Sequence, residues 1–254
     1  MTRYAVISDI HANLHALHAA FARIDELEVD DVICLGDIVG YGPDPDRCLD
    51  LVTRRCGVSV MGNHDLAVLD PAYVAGFNVT AREALRWTRD ILEPMHLDAL
   101  NRMRELEYIG RTITCVHDNP LPCSMTYIYD QQAATLAFRA LTTPIALVGH
   151  THLPMVFETR STHVGDALTP GDVGAHVPRD GVPVALDPAA RTICNPGSVG
   201  QPRDGDPRAS LAVLDLDDWT FTVHRVRYDI AATQLASQKR GLPAVLAHRL
   251  AVGA

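Results

Sequence analysis

Short apolar runs that stop abruptly at polar residues recur along the first three-fifths of the chain. Tyr4-Ala5-Val6-Ile7 runs into Ser8-Asp9-Ile10-His11, and Asp31-Val32-Ile33-Cys34-Leu35 into Gly36-Asp37. Val58-Ser59-Val60-Met61 ends at Gly62-Asn63-His64-Asp65. Thr112-Ile113-Thr114-Cys115-Val116 ends at His117, and Pro144-Ile145-Ala146-Leu147-Val148 at Gly149-His150-Thr151-His152. Continuous apolar runs of this length, bounded by turn residues, read as strands buried on both faces. Between them the period becomes helical. Ala12, Leu14, Ala16, Leu17, Ala20 and Phe21 form one stripe, and Asp46 to Arg55 predicts a short helix with Leu49, Leu51 and Val52 inward. Strands alternating with helices predict an α/β fold.

From Leu66 to Leu106 the pattern is helical throughout. Thr80, with Glu83 three positions on, reads as a cap, and Ala81, Ala84, Leu85, Ile91 and Leu92 share a face as far as Pro94. A second short helix is expected over His96 to Met103. Tyr108-Ile109 and the run from Thr112 form a hairpin around Gly110-Arg111, and Gln131 to Leu141 reads as a helix. The stretch 155–190 is rich in Gly, Pro and Asp, and irregular strands and loops are expected there. Strands then return at Thr192-Ile193-Cys194, Ala209 to Asp215 and Thr220 to Val226, and helical spacing at Ile230 to Leu250, broken by Gly241-Leu242-Pro243. The expectation is a single domain over 1–254, with the 66–106 insertion near its site.

Ligands in open α/β sheets collect at the carboxyl ends of strands. Here those ends carry Asp9, His11, Asp37, Asn63, His64, His117, His150 and His152. Residues two apart in extended chain point the same way, so Asp9/His11 and His150/His152 are expected to pair. Any one of these histidines, taken singly, reads as a buried core residue. An ordered set with two carboxylates and an amide reads as a metal site. Carboxylate, imidazole and amide oxygen suit Mn, Fe, Zn or Ni. The set is too large for one tetrahedral ion and fits two divalent cations about 3.5–4 Å apart, with Asp37 the natural bridge. Asn13 and Arg203 are candidates for contacting a phosphate, weighed against a helix N-cap for Asn13 and a solvated loop residue for Arg203.

Composition narrows the partners. The chain has 254 residues and a formal net charge of -9, which argues against duplex nucleic acid. A small phosphorylated substrate remains compatible, because a bound cation reverses the local potential. Cys34, Cys48, Cys56, Cys115, Cys123 and Cys194 form no C-x-x-C pair and read as reduced thiols. No leader pattern or membrane-length apolar run is seen, so a cytoplasmic protein is expected, its oligomeric state open.

Asp9-x-His11, Gly36-Asp37-x-x-Gly40, Gly62-Asn63-His64-Asp65, His117 and Gly149-His150-Thr151-His152, in that order, resemble the motif series of the calcineurin-like metallophosphoesterase superfamily. Asn195-Pro196-Gly197-Ser198 resembles a segment of its small bacterial and archaeal phosphodiesterase branch. The resemblance implies a four-layer α-β-β-α sandwich of two mixed sheets. It implies that Asp9, His11 and His152 hold one metal, Asn63, His117 and His150 the other, and that Asp37 bridges them. His64, as imidazolium, would serve the leaving oxygen while hydroxide made available by the cations attacks phosphorus. Three positions depart from the pattern: Asp65 stands where Glu is usual, Val116 precedes His117 where Gly is common, and Gly40 stands where one branch has a tyrosinate ligand. The implied activity is that of a phosphodiesterase or phosphatase for a small or nucleotide-type ester. A protein Ser/Thr phosphatase and a non-catalytic metal-binding scaffold are the alternatives; a scaffold would be expected to lack His64.

Overall fold

The computed structural model describes residues 2–121, 126–161 and 167–254. Its first sheet runs β3 (Val58–Ser59), β2 (Asp31–Cys34), β1 (Arg3–Ile7), β11 (Ala209–Asp215), β12 (Thr220–Val226), β9 (Val184–Ala185). The second runs β4 (Leu106–Ile109), β5 (Ile113–Val116), β6 (Ile145–Leu147), β10 (Arg191–Pro196), β7 (Pro154–Thr159), β8 (Gly174–His176). Both are mixed. β1, β2 and β3 are parallel, as are β5, β6 and β10, and the remaining neighbours are antiparallel.

Side-chain alternation divides the apolar residues into layers. Val6, Ile33, Leu35, Ala212 and Leu214 of the first sheet meet Ile113, Cys115, Ile145, Leu147 and Cys194 of the second. The residues between them point the other way. Ala5, Ile7, Val32 and Cys34 pack on Leu17, Ala20 and Phe21 of α1 (Leu14–Glu26) and on Leu49 and Val52 of α2 (Pro45–Arg55). Ala146, Val148, Phe157 and Ile193 pack on Ala134, Ala137 and Phe138 of α6 (Gln131–Ala140). Burial on both faces is why the strands read as unbroken apolar runs. Each fully buried Leu, Ile or Val contributes about 1.5–3 kcal/mol of transfer free energy. The result is the expected four-layer sandwich. Cys34 and Cys115 are core residues of β2 and β5; Cys123 lies outside the described residues, and the remaining cysteines are free thiols.

Parallel register puts the strand ends level. Ile7 is opposite Cys34 and Cys34 opposite Ser59; Leu147 is opposite both Cys115 and Cys194. The polar residues that follow therefore emerge along one edge of the sandwich. Three details differ from the pattern along the chain. A helix, α3 (Asn63–Leu69), begins at the third strand's polar ending itself. The cap of α4 (Val79–Ile91) is Asn78, whose side chain accepts from Ala81 N at 2.9 Å, rather than Thr80. α5 (Pro94–Asn101) starts on Pro94, which is suited to a first turn. Within the stretch expected to be irregular, β7 pairs with β10 over its whole length. Pro154 and Glu158 mask its apolar period, and packing of Val156 and Phe157 on opposite faces decides its conformation. The carboxyl-terminal region adds α7 (Ile230–Lys239) and α8 (Ala244–His248). No helix among the described residues is long and apolar enough to cross a membrane.

Candidate metal centre

Beyond Ile7 the chain leaves extended geometry. Asp9, His11 and Ala12 have φ of 52°, 48° and 53°, and Asp37, His150 and His152 have 50°, 66° and 61°. Extended alternation is thus not what aims Asp9 and His11 together; the left-handed turns at Asp9, His11 and Ala12 do. Each costs on the order of 1–3 kcal/mol and persists only where the surroundings over-determine it. Here two loops clamp the turn. Asp9 N, His11 N and Ala12 N donate to Gly36 O, Asp37 O and Ile38 O at 3.0, 2.9 and 2.8 Å. From the other side Val199 N and Gly200 N donate to Ser8 O and Asp9 O at 2.9 and 3.0 Å, and Ser198 Oγ to Asp9 O at 2.7 Å. Gly36 and Gly62 mark where the other two loops cross. A Cβ on Gly36 (φ +88°) would lie 2.5 Å from Gly62 N, and one on Gly62 would lie 2.1 Å from Asp37 Oδ1. The glycine before Asp37 makes room for the neighbouring loop, not for a ligand.

The imidazoles are oriented by backbone carbonyls. His11 Nδ1 lies 3.2 Å from Val39 O, His117 Nδ1 2.7 Å from Leu35 O, and His152 Nδ1 2.5 Å from Gln201 O. A carbonyl only accepts, so each Nδ1 carries its proton and Nε2 is left to take a proton or a cation. Those Nε2 atoms converge. His11 and His152 bring theirs to 3.2 Å of each other, and that of His152 is 3.2 Å from Asp9 Oδ1. His117 Nε2 is 3.3 Å from Asp37 Oδ2 and 3.1 Å from Asn63 Oδ1. The ligating atoms of Asp9, His11 and His152 lie within 4.8 Å of one another, as do those of Asp37, His117 and His150. Asp9 Oδ1 is buried without a hydrogen-bond partner. Two lone pairs and an orphaned carboxylate oxygen at such separations repel unless something positive sits among them, so the donor set fits a divalent cation.

Charge follows the same division. Burial alone would raise the carboxyl of Asp9, but the charges of His152 and His117 outweigh it and hold the group well below the usual carboxylate range. Asp37 is likewise held ionised against burial, chiefly by the charge of His117. His117 is pushed up to about 10: burial opposes its charge, and Asp37 and Asp9 prevail. His150 is pushed down to about 3, by burial and then by the charge of His117. His64 falls to about 4, chiefly through burial, so it rests neutral rather than as imidazolium. Its backbone N–H donates to Asp37 Oδ1 at 2.8 Å, and its ring packs among those of His11, Tyr41 and Phe77 at 4.7, 4.4 and 4.9 Å.

Three further residues at the centre, Asp65, Tyr41 and Tyr127, were not among the site candidates. Asp65 accepts from Ile38 N, Val39 N and Gly62 N at 3.0, 3.1 and 3.0 Å, tying the loop after β2 to the start of α3. Burial and the charge of Asp37 raise its carboxyl to about 7. Tyr41 packs on His11 at 4.7 Å; an aromatic between Gly40 and Gly42, just past Asp37, was the available signal. Tyr127 stacks on His150 at 4.0 Å and 15°, and nothing in its local sequence marks it.

A cleft of about 520 Å³ opens over the centre, lined by Asp37, His64, Phe77, Tyr127, His150 and Arg203 among others. Phe77 lies within the stretch 66–106. Arg203 stands at its wall and donates to Gln201 Oε1 at 3.0 Å. Asn13 is not in the lining. Its Oδ1 accepts from Ala16 N at 3.2 Å and from Thr233 Oγ1 at 3.0 Å, and its Nδ2 donates to Gly200 O at 2.9 Å. It caps α1 and ties down the 195–201 loop, and it does not line the cleft in which a phosphate would lie. Asn195 is a scaffold residue too, donating to Gly149 O at 2.6 Å.

A profile of the calcineurin-like phosphoesterase superfamily domain matches residues 2–219. The chain belongs to that superfamily. It is therefore a hydrolase of phosphate esters, in a metal-dependent family. An uncharacterized protein of Methanocaldococcus jannaschii is 34% identical over 98% of this chain and 97% of its own length. The crystal structure of a metallophosphoesterase from Sphaerobacter thermophilus superposes with a TM-score of 0.86 at 41% identity, covering 100% of this chain and 99% of that one. A hypothetical protein from Pyrococcus horikoshii shares the fold, with a TM-score of 0.76 at 20% identity over 100% and 99% of the two chains.

Proposed function

We propose that this phosphoesterase is a dinuclear, metal-dependent phosphodiesterase for a small phosphate ester. The observation that carries the reading is the pair of neighbouring donor groups, of which Asp37, Asn63, His150 and His152 reach the cleft that His64 and Arg203 also line. Asp9, His11 and His152 would hold one cation, and Asn63, His117 and His150 the other, with Asp37 shared between them. Mn, Fe, Zn or Ni suits this donor set. Cations bound there acidify water and neutralise phosphate charge.

The chain's own residues do the rest. Arg203 donates to an outer phosphate oxygen, fixing the ester over the centre. His64 starts neutral. To act as an acid it takes a proton from solvent, against the burial that favours its neutral form. It then passes that proton to the departing alkoxide. Phe77 and Tyr127 shield the cleft walls from water. Hydrolysis of bis(p-nitrophenyl) phosphate with each of the four ions tests the reading. The wild type should turn over, and His64→Ala should lose about 10²–10⁴-fold in kcat with its metal content unchanged. Absence of hydrolysis with every ion would overturn it, and loss of metal in His64→Ala would move His64 into the ligand set.

A further inference from the structure

A second cleft, of about 830 Å³, adjoins the first at Asn63 and Tyr73 and reaches the centre at His117. Its walls differ in character. Leu66 and Leu106 give it an apolar floor, Tyr73 and Tyr108 give it aromatic faces, and its charged residues are Asp118 and Glu105. No lysine or arginine lines it among the described residues, whereas the cleft over His64 carries Arg203. The fields of Asp118 and Glu105 converge on Tyr73, whose phenol is raised by burial and then by these two carboxylates. Tyr108 is 54% exposed and Glu105 is exposed, so both are open to a ligand.

Resting on the phosphodiesterase reading, we propose that this cleft receives the retained arm of the diester, and that this arm is an alcohol bearing an ammonium group. In-line displacement places the attacking and departing oxygens on one axis, the departing one towards His64. The retained arm is an equatorial substituent, and on the side of Asn63 and His117 the second cleft opens to receive it. Aromatic faces beside carboxylates attract an organic cation through ring quadrupole and charge together. The same carboxylates repel an arm carrying a further phosphate. Selectivity therefore favours diesters of amino alcohols or quaternary ammonium alcohols over polyphosphate esters.

Two esters differing only in charge test this: p-nitrophenyl phosphorylcholine and its neutral carbon isostere, p-nitrophenyl 3,3-dimethylbutyl phosphate. The wild type should prefer the choline ester by about tenfold in kcat/KM, the scale of a cation over aromatic faces. Glu105→Gln should cut that preference several-fold, the loss falling on kcat/KM for the choline ester. Equal rates for the two esters in the wild type, or a preference untouched by both Glu105→Gln and Asp118→Asn, would overturn the proposal. Calorimetric binding of phosphocholine against 3,3-dimethylbutyl phosphate reads the arm without turnover. Tighter binding of phosphocholine with no hydrolysis of either ester would sink the esterase reading and uphold the arm assignment. Equal binding would overturn the arm assignment whatever the rates.

Discussion

The two halves of the centre are built to different standards. In the half formed by Asp9, His11 and His152, the imidazoles are 1% and 2% exposed and both are pinned by backbone carbonyls. Its turn is held from two sides by the loops after β2 and β10. In the half formed by Asn63, His117 and His150, only His117 is pinned in that way among the described residues. His150 is steadied by the stacked ring of Tyr127, and Asn63 is half-buried where the two clefts meet. Orientation by a carbonyl raises ligand basicity and removes rotational freedom. If each group holds a cation, as proposed, the first would be the more rigid receptor and the second the one more open to substrate. In an enzyme that must both keep its ions and turn over esters, rigidity belongs where the ion stays and openness where the phosphate enters.

The largest effect is expected from the residue the halves share. Asp37→Asn should abolish the distinction, losing metal from both and lowering kcat/KM by about 10⁴-fold or more, since water activation and charge neutralisation go together. Metal analysis checks it; two ions retained at full occupancy would make the bridging assignment wrong. Paired variants separate the halves. His152→Ala should lose metal that excess Mn does not restore, whereas His150→Ala should need about 10–100-fold more Mn for half-maximal activity and then recover. Identical behaviour of the two would erase the contrast.

Proton linkage gives a smaller, signed effect. In the metal-free protein His117 is pushed up to about 10 from its ordinary 6.5, by Asp37 and Asp9 against burial. Its protonation stabilises that form fully below about pH 6.5 and is lost as pH rises through about 10. A cation in the open half must displace this proton, so affinity there should rise about tenfold per pH unit through the neutral range, with about one proton released. Calorimetry in buffers of different ionisation enthalpy measures the release; none at all would remove His117 from the set. The smallest effect concerns the closed half's scaffold. Asn13→Ala removes the cap of α1 and the tie to Gly200, next to the carbonyl that pins His152. About 1–2 kcal/mol of stability should go, seen as a lower Tm, with kcat on small diesters little changed.

Much of this was legible along the chain. Apolar runs ending in Asp, His and Asn located the strands and the edge where they finish, because burial on both faces requires unbroken apolar sequence. The chemistry of those endings was legible too, because carboxylate and imidazole keep their donor character in any fold. Asn13 shows the boundary: its cap role was readable locally, while its hold on Gly200 and Thr233 joins residues about two hundred positions apart. Asp65, Tyr41 and Tyr127 mark the same limit, since each acts on a partner reached only by folding.

Sequence alone determined which atoms are offered to a cation or a phosphate, and that they emerge from neighbouring strands. Tertiary structure alone decided how they converge. The left-handed turns at Asp9, His11, Asp37, His150 and His152 are unfavourable for any isolated segment. They exist because loops distant in sequence supply the hydrogen bonds that hold them. The same packing made one half closed and the other open, a difference that no local pattern encodes.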